Sequence, residues 1–190
     1  MPISSISVIL LLLLLFFFFY TSRQKSFLNY RKGTVADFDQ MKELEIISYG
    51  QYQNLLEPDQ FKILDSNLRN NLTLEKLLES STPFVCEEYN KIVGMVFLVS
   101  HGNPTDIYDK DWCYIRMLAV HPEYSGKGIA KKLTLMSVDE AKAAGEKVIA
   151  LHTSEFMDAA RHIYESLGFT ILKEIPPIFG KKYWIYIKNL

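Results

Sequence analysis

The sequence predicts an α/β domain with a largely antiparallel sheet, and three observations predict it. Short β-branched and aromatic runs alternate along the chain with segments of helical spacing. Two such runs, PFVCEEY and KIVGMVFLVS, meet at a tight polar turn, which makes them antiparallel neighbours. A glycine-rich stretch, HPEYSGKGIAKKL, joins a further strand to the start of a helix.

Each element follows in order. FLNYRKGT reads as a first strand. Thr34 or Asp37 then caps a helix to about Tyr49, with Phe38, Met41, Leu44 and Ile47 spaced for one buried face. Two shorter helical patterns lie near residues 59–67 and 74–80. The hairpin turn falls at Tyr89, Asn90 and Lys91, and residues 101–111 form a polar loop. WCYIRMLAV is a fourth strand. A helix from near Gly128 to about Ala144 buries Ile129, Leu133 and Met136, and Gly145 suits the position after its end. KVIALHT is a buried strand, Ser154 is placed to cap the next helix, and Phe156, Ala160, Ile163 and Leu167 mark its apolar stripe. Tyr164 borders that stripe, and Gly168 stops the helix. FTILKEI and KKYWIYIKNL close the chain as a pair of strands.

The N-terminal region stands apart from this pattern. Residues 8–20 are an uncharged apolar run, short of the ~18–20 residues that span a bilayer. With no basic segment before it and no small-residue cleavage site after it, a secretory signal is a poor fit. Two readings stay open: a leader that is untranslated in nature, or a membrane tether through residues 6–20. For a tether, Arg23, Lys25, Arg31 and Lys32 would leave the rest of the chain on the cytoplasmic side. The division is therefore an apolar leader, 1–25, and one folded domain, 26–190, expected in the cytoplasm.

A net charge of −1 gives no electrostatic case for nucleic-acid binding. Cys86 and Cys113 form no CxxC and have no histidine at ligand spacing, so no metal site is expected. Nor is either placed beside a base as a nucleophile. Oligomeric state leaves no mark on the sequence.

The stretch that carries chemistry is the one before the long helix. A strand, a glycine-rich turn and a helix N-terminus together aim backbone N–H groups at one point. Lys127, Lys131 and Lys132 crowd the positive end of a helix dipole, at a cost of roughly 0.3–1 kcal/mol each. A multiply charged anion would offset that cost; the alternative is plain solvated surface charge. No P-loop is present, and the Rossmann fingerprint lacks its third glycine.

MLAVHPEYSGKGIAKKL, followed by AARHIYESLGF, resembles the GNAT superfamily of N-acetyltransferases, over roughly residues 27–190. The resemblance implies a mixed, mostly antiparallel sheet of about seven strands flanked by about four helices. It implies acetyl-CoA as co-substrate, no metal, and direct attack by a small-molecule or peptide amine. Leu118, Ala119 and Val120 match the strand that pairs with the pantetheine amides, usually bulged and splayed from the next strand. Ser125, Gly126, Lys127, Gly128, Ile129, Ala130 and Lys131 match the pyrophosphate loop. Ser125 replaces the family's long donor there, and lysines nearby are candidates to compensate. Met157 stands where many members have asparagine.

Tyr164 matches the tyrosine beside the CoA sulfur, implying a general acid. His152 matches a position where some relatives carry glutamate. Its ordinary pKa near neutrality suits a general base, with Glu155, Tyr114 or a relayed water as competitors. A strand N–H around Leu118 is the expected oxyanion donor. Arg116 faces either the acceptor or solvent. Glu43, Glu45, Glu57, Asp59, Tyr49 and Tyr52 lie on the expected acceptor wall, and the loops around residues 49–59 and 102–111 are expected to set acceptor choice. The rival reading is an acyl-CoA-binding regulatory module without turnover.

Overall fold

The computed structural model describes residues 27–190. The leader expected over 1–25 and the tether through residues 6–20 therefore lie outside the described residues. Seven strands form one sheet in the order β1-β2-β3-β4-β5-β7-β6. They are β1 (Asn29–Lys32), β2 (Thr82–Glu88), β3 (Lys91–Val99), β4 (Cys113–Val120), β5 (Val148–Ser154), β6 (Thr170–Ile178) and β7 (Lys181–Asn189). Every pairing is antiparallel except β4 with β5. Five α-helices accompany them: α1 (Phe38–Gly50), α2 (Pro58–Arg69), α3 (Asn71–Ser80), α4 (Ile129–Ala143) and α5 (Asp158–Ser166). Among the described residues no helix is long and apolar enough to cross a membrane.

The strand alternation divides the core into two layers. On one face Phe84, Val96, Ile115 and Leu151 pack with Ile129 and Leu133 of α4 and with Tyr164 of α5. On the other, Val85, Met95 and Phe97 pack with Met41 and Leu44 of α1 and with Leu74 and Leu77 of α3. Ile129 and Leu133 are buried, each contributing on the order of 1.5–3 kcal/mol. Gly94 sets how closely α4 approaches: a Cβ there would lie 2.5 Å from Ile129 Cγ2 and 3.1 Å from Leu133 Cδ1. This close seat fixes the start of α4 beside the end of β4.

Several local expectations change. Thr34 and Asp37 act together, before α1 begins. The Thr34 N–H and hydroxyl both donate to Asp37 Oδ2, at 2.8 and 3.2 Å, around the single turn Val35–Asp37. Arg31 clamps the same carboxylate through two nitrogens, each at 2.8 Å. The guanidinium holds the Asp37 carboxyl down at about 2. The buried stripe of α1 is Met41, Leu44, Glu45 and Ser48 rather than one ending at Ile47. Two polar side chains thus point inward, where a purely structural helix would carry apolar ones.

Ser154 does not cap α5: it ends β5, and its hydroxyl donates to the Lys182 carbonyl at 2.9 Å. The helix starts one turn later behind Met157, which leaves Phe156 outside it. Tyr164, expected at the margin of the stripe, is the buried residue of α5. The glycine stops hold as expected. Gly145 and Gly168 have φ of 77° and 83°. The amides of Glu146 and Phe169 reach back to Ala141 and Tyr164 carbonyls, each at 3.0 Å, closing both helices with the same left-handed cap.

Candidate functional site

The site begins where the sheet opens. Between Met95–Ala119 and Phe97–Arg116, β4 carries one residue more than β3. Met117 sits in this bulge at φ 55°, a conformation side chains other than glycine rarely adopt. β4 and β5 pair only at Cys113–Ile149 and Tyr114–Ala150. Beyond Tyr114 the two strands separate, which is the splayed slot expected from the sequence.

The strand edge facing that slot follows from its hydrogen bonds. The His121 N–H donates to Val93 on β3 at 2.9 Å. Peptide groups alternate along a strand, so Ala119 shares that direction while Leu118 and Val120 turn theirs away from β3. The Val120 N–H meets Ser48 Oγ at 3.3 Å, and Leu118 lines the cavity at the slot. Ser48 is a site residue that sequence reasoning missed; its only signal was a serine on the inner side of an otherwise apolar stripe.

After β4 the chain makes a single turn, Pro122–Tyr124, whose first amide partner is His121 Nδ1, accepting from the Glu123 N–H at 3.3 Å. The loop then uses two left-handed glycines, Gly126 at φ 77° and Gly128 at φ 78°. A Cβ at either would meet nothing within 4 Å, so backbone conformation and not crowding requires glycine here. The Ser125 N–H is taken by the Pro122 carbonyl at 3.1 Å and the Lys127 N–H loosely by Tyr124 at 3.4 Å. The amides of Gly126, Gly128, Ile129, Ala130 and Lys131 meet no acceptor among the described residues; that of Lys132 is the first to enter the helix, bonding the Gly128 carbonyl at 3.0 Å. The cradle thus runs from Gly126 to Lys131 and excludes the expected Ser125 amide. Lys127 lies over the Tyr124 ring at 4.1 Å, while Lys131 and Lys132 are exposed. Free N–H groups, a helix dipole and two exposed ammonium groups suit an anion with several charged oxygens.

On the other side of the bulge a cavity of about 470 Å³ opens between α1, α2, β4, β5, α5 and the β6–β7 turn. Arg116, His152, Tyr164, Tyr49, Tyr52 and Glu45 all line it. Tyr164 is 5% exposed, its ring edge-on to Phe169, and burial pushes its phenol well above the usual tyrosine range. Its hydroxyl makes no hydrogen bond among the described residues, and no buried side-chain oxygen among them lacks a partner, so the hydroxyl borders the open cavity.

His152 stands opposite on β5 with Nδ1 2.6 Å from the Tyr108 hydroxyl. Burial, reinforced by the Arg116 charge, pushes its pKa down to about 4. The ordinary value expected from the sequence is therefore corrected: the imidazole is neutral across the physiological range and a weak proton acceptor. Tyr108 comes from the polar loop, where nothing in the local sequence marks it. It is buried, and stacks on Tyr114 with centroids 4.0 Å apart. The Tyr114 hydroxyl donates to the Asn103 carbonyl at 3.0 Å, and Glu155 is exposed, accepting from the Lys182 N–H at 3.1 Å.

The expected acceptor wall is reduced to part of its members. Glu43, Glu57 and Asp59 are exposed and outside the cavity lining, whereas buried Glu45 lines it and pairs with Lys42 at 3.2 Å. The loop around 102–111 does not line the cavity, and supports it from below through Tyr108. Phe179 and Tyr183, from the β6–β7 hairpin, take its place. They lie more than a hundred residues from α1, and nothing local marked them. Met157 lines the cavity, its sulfur accepting from the Thr153 hydroxyl at 3.6 Å. Cys113 bonds the Val148 carbonyl at 3.3 Å, and burial pushes its thiol up to about 12, which suits a packing role. Among the described residues no cluster of three or more His, Cys, Asp or Glu is arranged to hold a metal.

A bulged strand splayed from its parallel neighbour, amides without acceptors among the described residues at the following helix and a cavity beyond are the features of an acyltransferase-type fold. Residues 39–169 match the Acetyltransferase (GNAT) family, and the chain belongs to it. Over 62 residues, 33% of this chain, it is 47% identical to N-alpha-acetyltransferase 30 of Schizosaccharomyces pombe, covering 41% of that protein. It is 34% identical, also over 62 residues, to L-amino acid N-acyltransferase MnaT of Escherichia coli, covering 36% of it. The chain thus spans less than half the length of these relatives. Among solved structures, PaiA N-acetyltransferase from Thermoplasma acidophilum in complex with coenzyme A superposes with a TM-score of 0.70 at 16% identity, over 86% of this chain and 99% of that one.

Proposed function

We propose that the protein transfers an acetyl group from acetyl-CoA to a primary amine. One observation carries this reading: β4, splayed from β5, leads into amides that meet no acceptor among the described residues, and it lines a cavity bordered by a tyrosine hydroxyl that has no partner among them. Acetyl-CoA supplies a thioester whose acyl carbon an amine attacks, releasing the thiol.

The protein's part is positioning and proton management. The amides of Gly126, Gly128, Ile129, Ala130 and Lys131, aided by the exposed Lys131 and Lys132, hold the diphosphate. Leu118 and Val120, whose peptide groups turn away from β3, supply the strand edge for the pantetheine arm, whereas Ala119 between them is turned toward β3. The Leu118 N–H, facing the slot, is the donor toward the carbonyl oxygen as it gains charge. Tyr164 remains protonated across the assay range and delivers its proton to the departing sulfur.

His152 takes a different role from the base first expected. With a pKa near 4 it receives a proton poorly, but through Tyr108 it can orient water or the amine as a neutral hydrogen-bonding group. Amine deprotonation then falls to water in the cavity. The test is thiol release from acetyl-CoA across a panel of amines. Amine-dependent release, with the acetylated amine found by mass spectrometry, is expected. Saturable cofactor binding with no product from any amine would instead identify a regulatory module.

A further inference from the structure

The cavity contains a cation that no carboxylate among the described residues pairs with. Among the described residues, each other arginine has a carboxylate within reach: Arg31 has Asp37 and Glu87, Arg69 has Asp65, and Arg161 has Asp158. Arg116 has no hydrogen bond, ion pair or ring contact among them, although it is half-buried and lines the cavity. Glu45, the one acidic residue lining the cavity among the described residues, is paired with Lys42 at 3.2 Å. The groups that feel the Arg116 charge, Tyr49, Tyr108, Tyr114 and His152, are all neutral near pH 7.

The position also matters. Arg116 lies on β4 next to Met117, whose left-handed backbone makes the bulge at the mouth of the slot. A group held by Arg116 is therefore held close to the reacting centre. Leaving a guanidinium partly desolvated and unpaired is costly, and natural sites tolerate it where a ligand completes the pair. The planar fork matches a carboxylate in bidentate fashion. Beyond it Leu64, Leu68, Ile178 and Phe179 offer an apolar wall.

Building on the acetyltransferase reading, we infer that Arg116 receives a carboxylate of the acceptor, and that the preferred acceptor is a free amino acid with an apolar side chain. A peptide N-terminus would present a neutral amide carbonyl beside its amine and leave Arg116 unpaired. A peptide beginning with Asp would supply the carboxylate from its side chain, and is the second source to separate.

The experiment compares L-leucine, L-leucinamide, and peptides beginning with Ala or Asp, in the full-length protein and in Arg116→Gln and Arg116→Lys. The decisive quantity is the change between proteins in the leucine-to-leucinamide ratio of kcat/KM, because the differing basicity of the two amines cancels there. Replacing Arg116 with Gln should lower the ratio about 10- to 100-fold, as expected for loss of a charge-assisted hydrogen-bonded pair. Lysine should retain part of it. Calorimetry with CoA present should show the same order in Kd without requiring turnover, and a thermal melt confirms that the variants fold. An unchanged ratio in Arg116→Gln, or tighter binding of the Ala or Asp peptide than of leucine, overturns the amino-acid assignment while leaving acetyl transfer standing. Absence of thiol release with every amine overturns acetyl transfer, and the calorimetric comparison still decides the subsite.

Discussion

The loop from Gly126 to Lys131, which follows β4, and the cavity around Arg116 and Tyr164, which β4 and β5 line, are built by opposite means. The loop works through backbone: free amides, two left-handed glycines and a helix dipole, all within one short stretch of chain. The cavity works through side chains brought from α1, α2, β4, β5, α5 and the β6–β7 hairpin. On the proposed function, backbone groups would hold the cofactor and the side-chain wall would meet the acceptor. The wall holds a guanidinium without a partner among the described residues, and a histidine that burial and the Arg116 charge keep neutral near pH 7.

The contrast can be broken by substitutions on either side. The largest effect belongs to the cavity. Tyr164→Phe removes only the hydroxyl, and kcat should fall by about 10²-fold or more, the range for a positioned acid, with cofactor binding retained. An unchanged kcat reassigns the proton donor to water.

Next comes the pH dependence of stability. His152 has a folded pKa of about 4, against about 6.5 in the unfolded chain. Between those values the unfolded state binds more protons, so stability present above pH ~6.5 is lost as pH falls toward 4, by about 2–3 kcal/mol. A thermal melt series should show this slope, and His152→Asn should flatten it. Equal slopes in the two proteins would mean that the imidazole is solvated in the folded state.

The smallest effect lies outside the site. The Asp37 carboxyl is held at about 2 by Arg31, so its contribution is complete above pH ~4 and lost as pH falls through 2. Asp37→Asn should cost about 1–2 kcal/mol at neutral pH, allowing for solvent screening, with a melting loss of about 3–6 °C. Cofactor affinity should not change, which separates scaffold from site.

The two regions also differ in how far they could be read from sequence. The seven strands, the hairpin at Tyr89 and Asn90, and both glycine stops followed from periodicity and turn chemistry, because those are local properties. The run of amides without acceptors at the start of α4 was legible for the same reason, apart from the Ser125 amide, which a short turn takes up. The cavity was legible where the resemblance marked positions, at Tyr164, His152 and Met157, at Arg116, and at those members of the expected acceptor wall that line it, Glu45, Tyr49 and Tyr52. Ser48, Phe179 and Tyr183 join it, and Tyr108 supports it through His152, by tertiary packing that no local spacing encodes. The pKa of His152 belongs to the same class, since burial and the Arg116 charge exist only after folding.

The central claim is that the amides between Gly126 and Lys131 cradle the diphosphate of coenzyme A. The most direct test is the melting temperature with and without acetyl-CoA, in the natural chain and in Gly128→Glu. At about a hundred times its Kd the ligand should stabilise the fold by about 2.7 kcal/mol, a rise of about 5–10 °C, and the carboxylate at position 128 should abolish that rise. An equal rise in both proteins, or none in the natural chain, would contradict the claim.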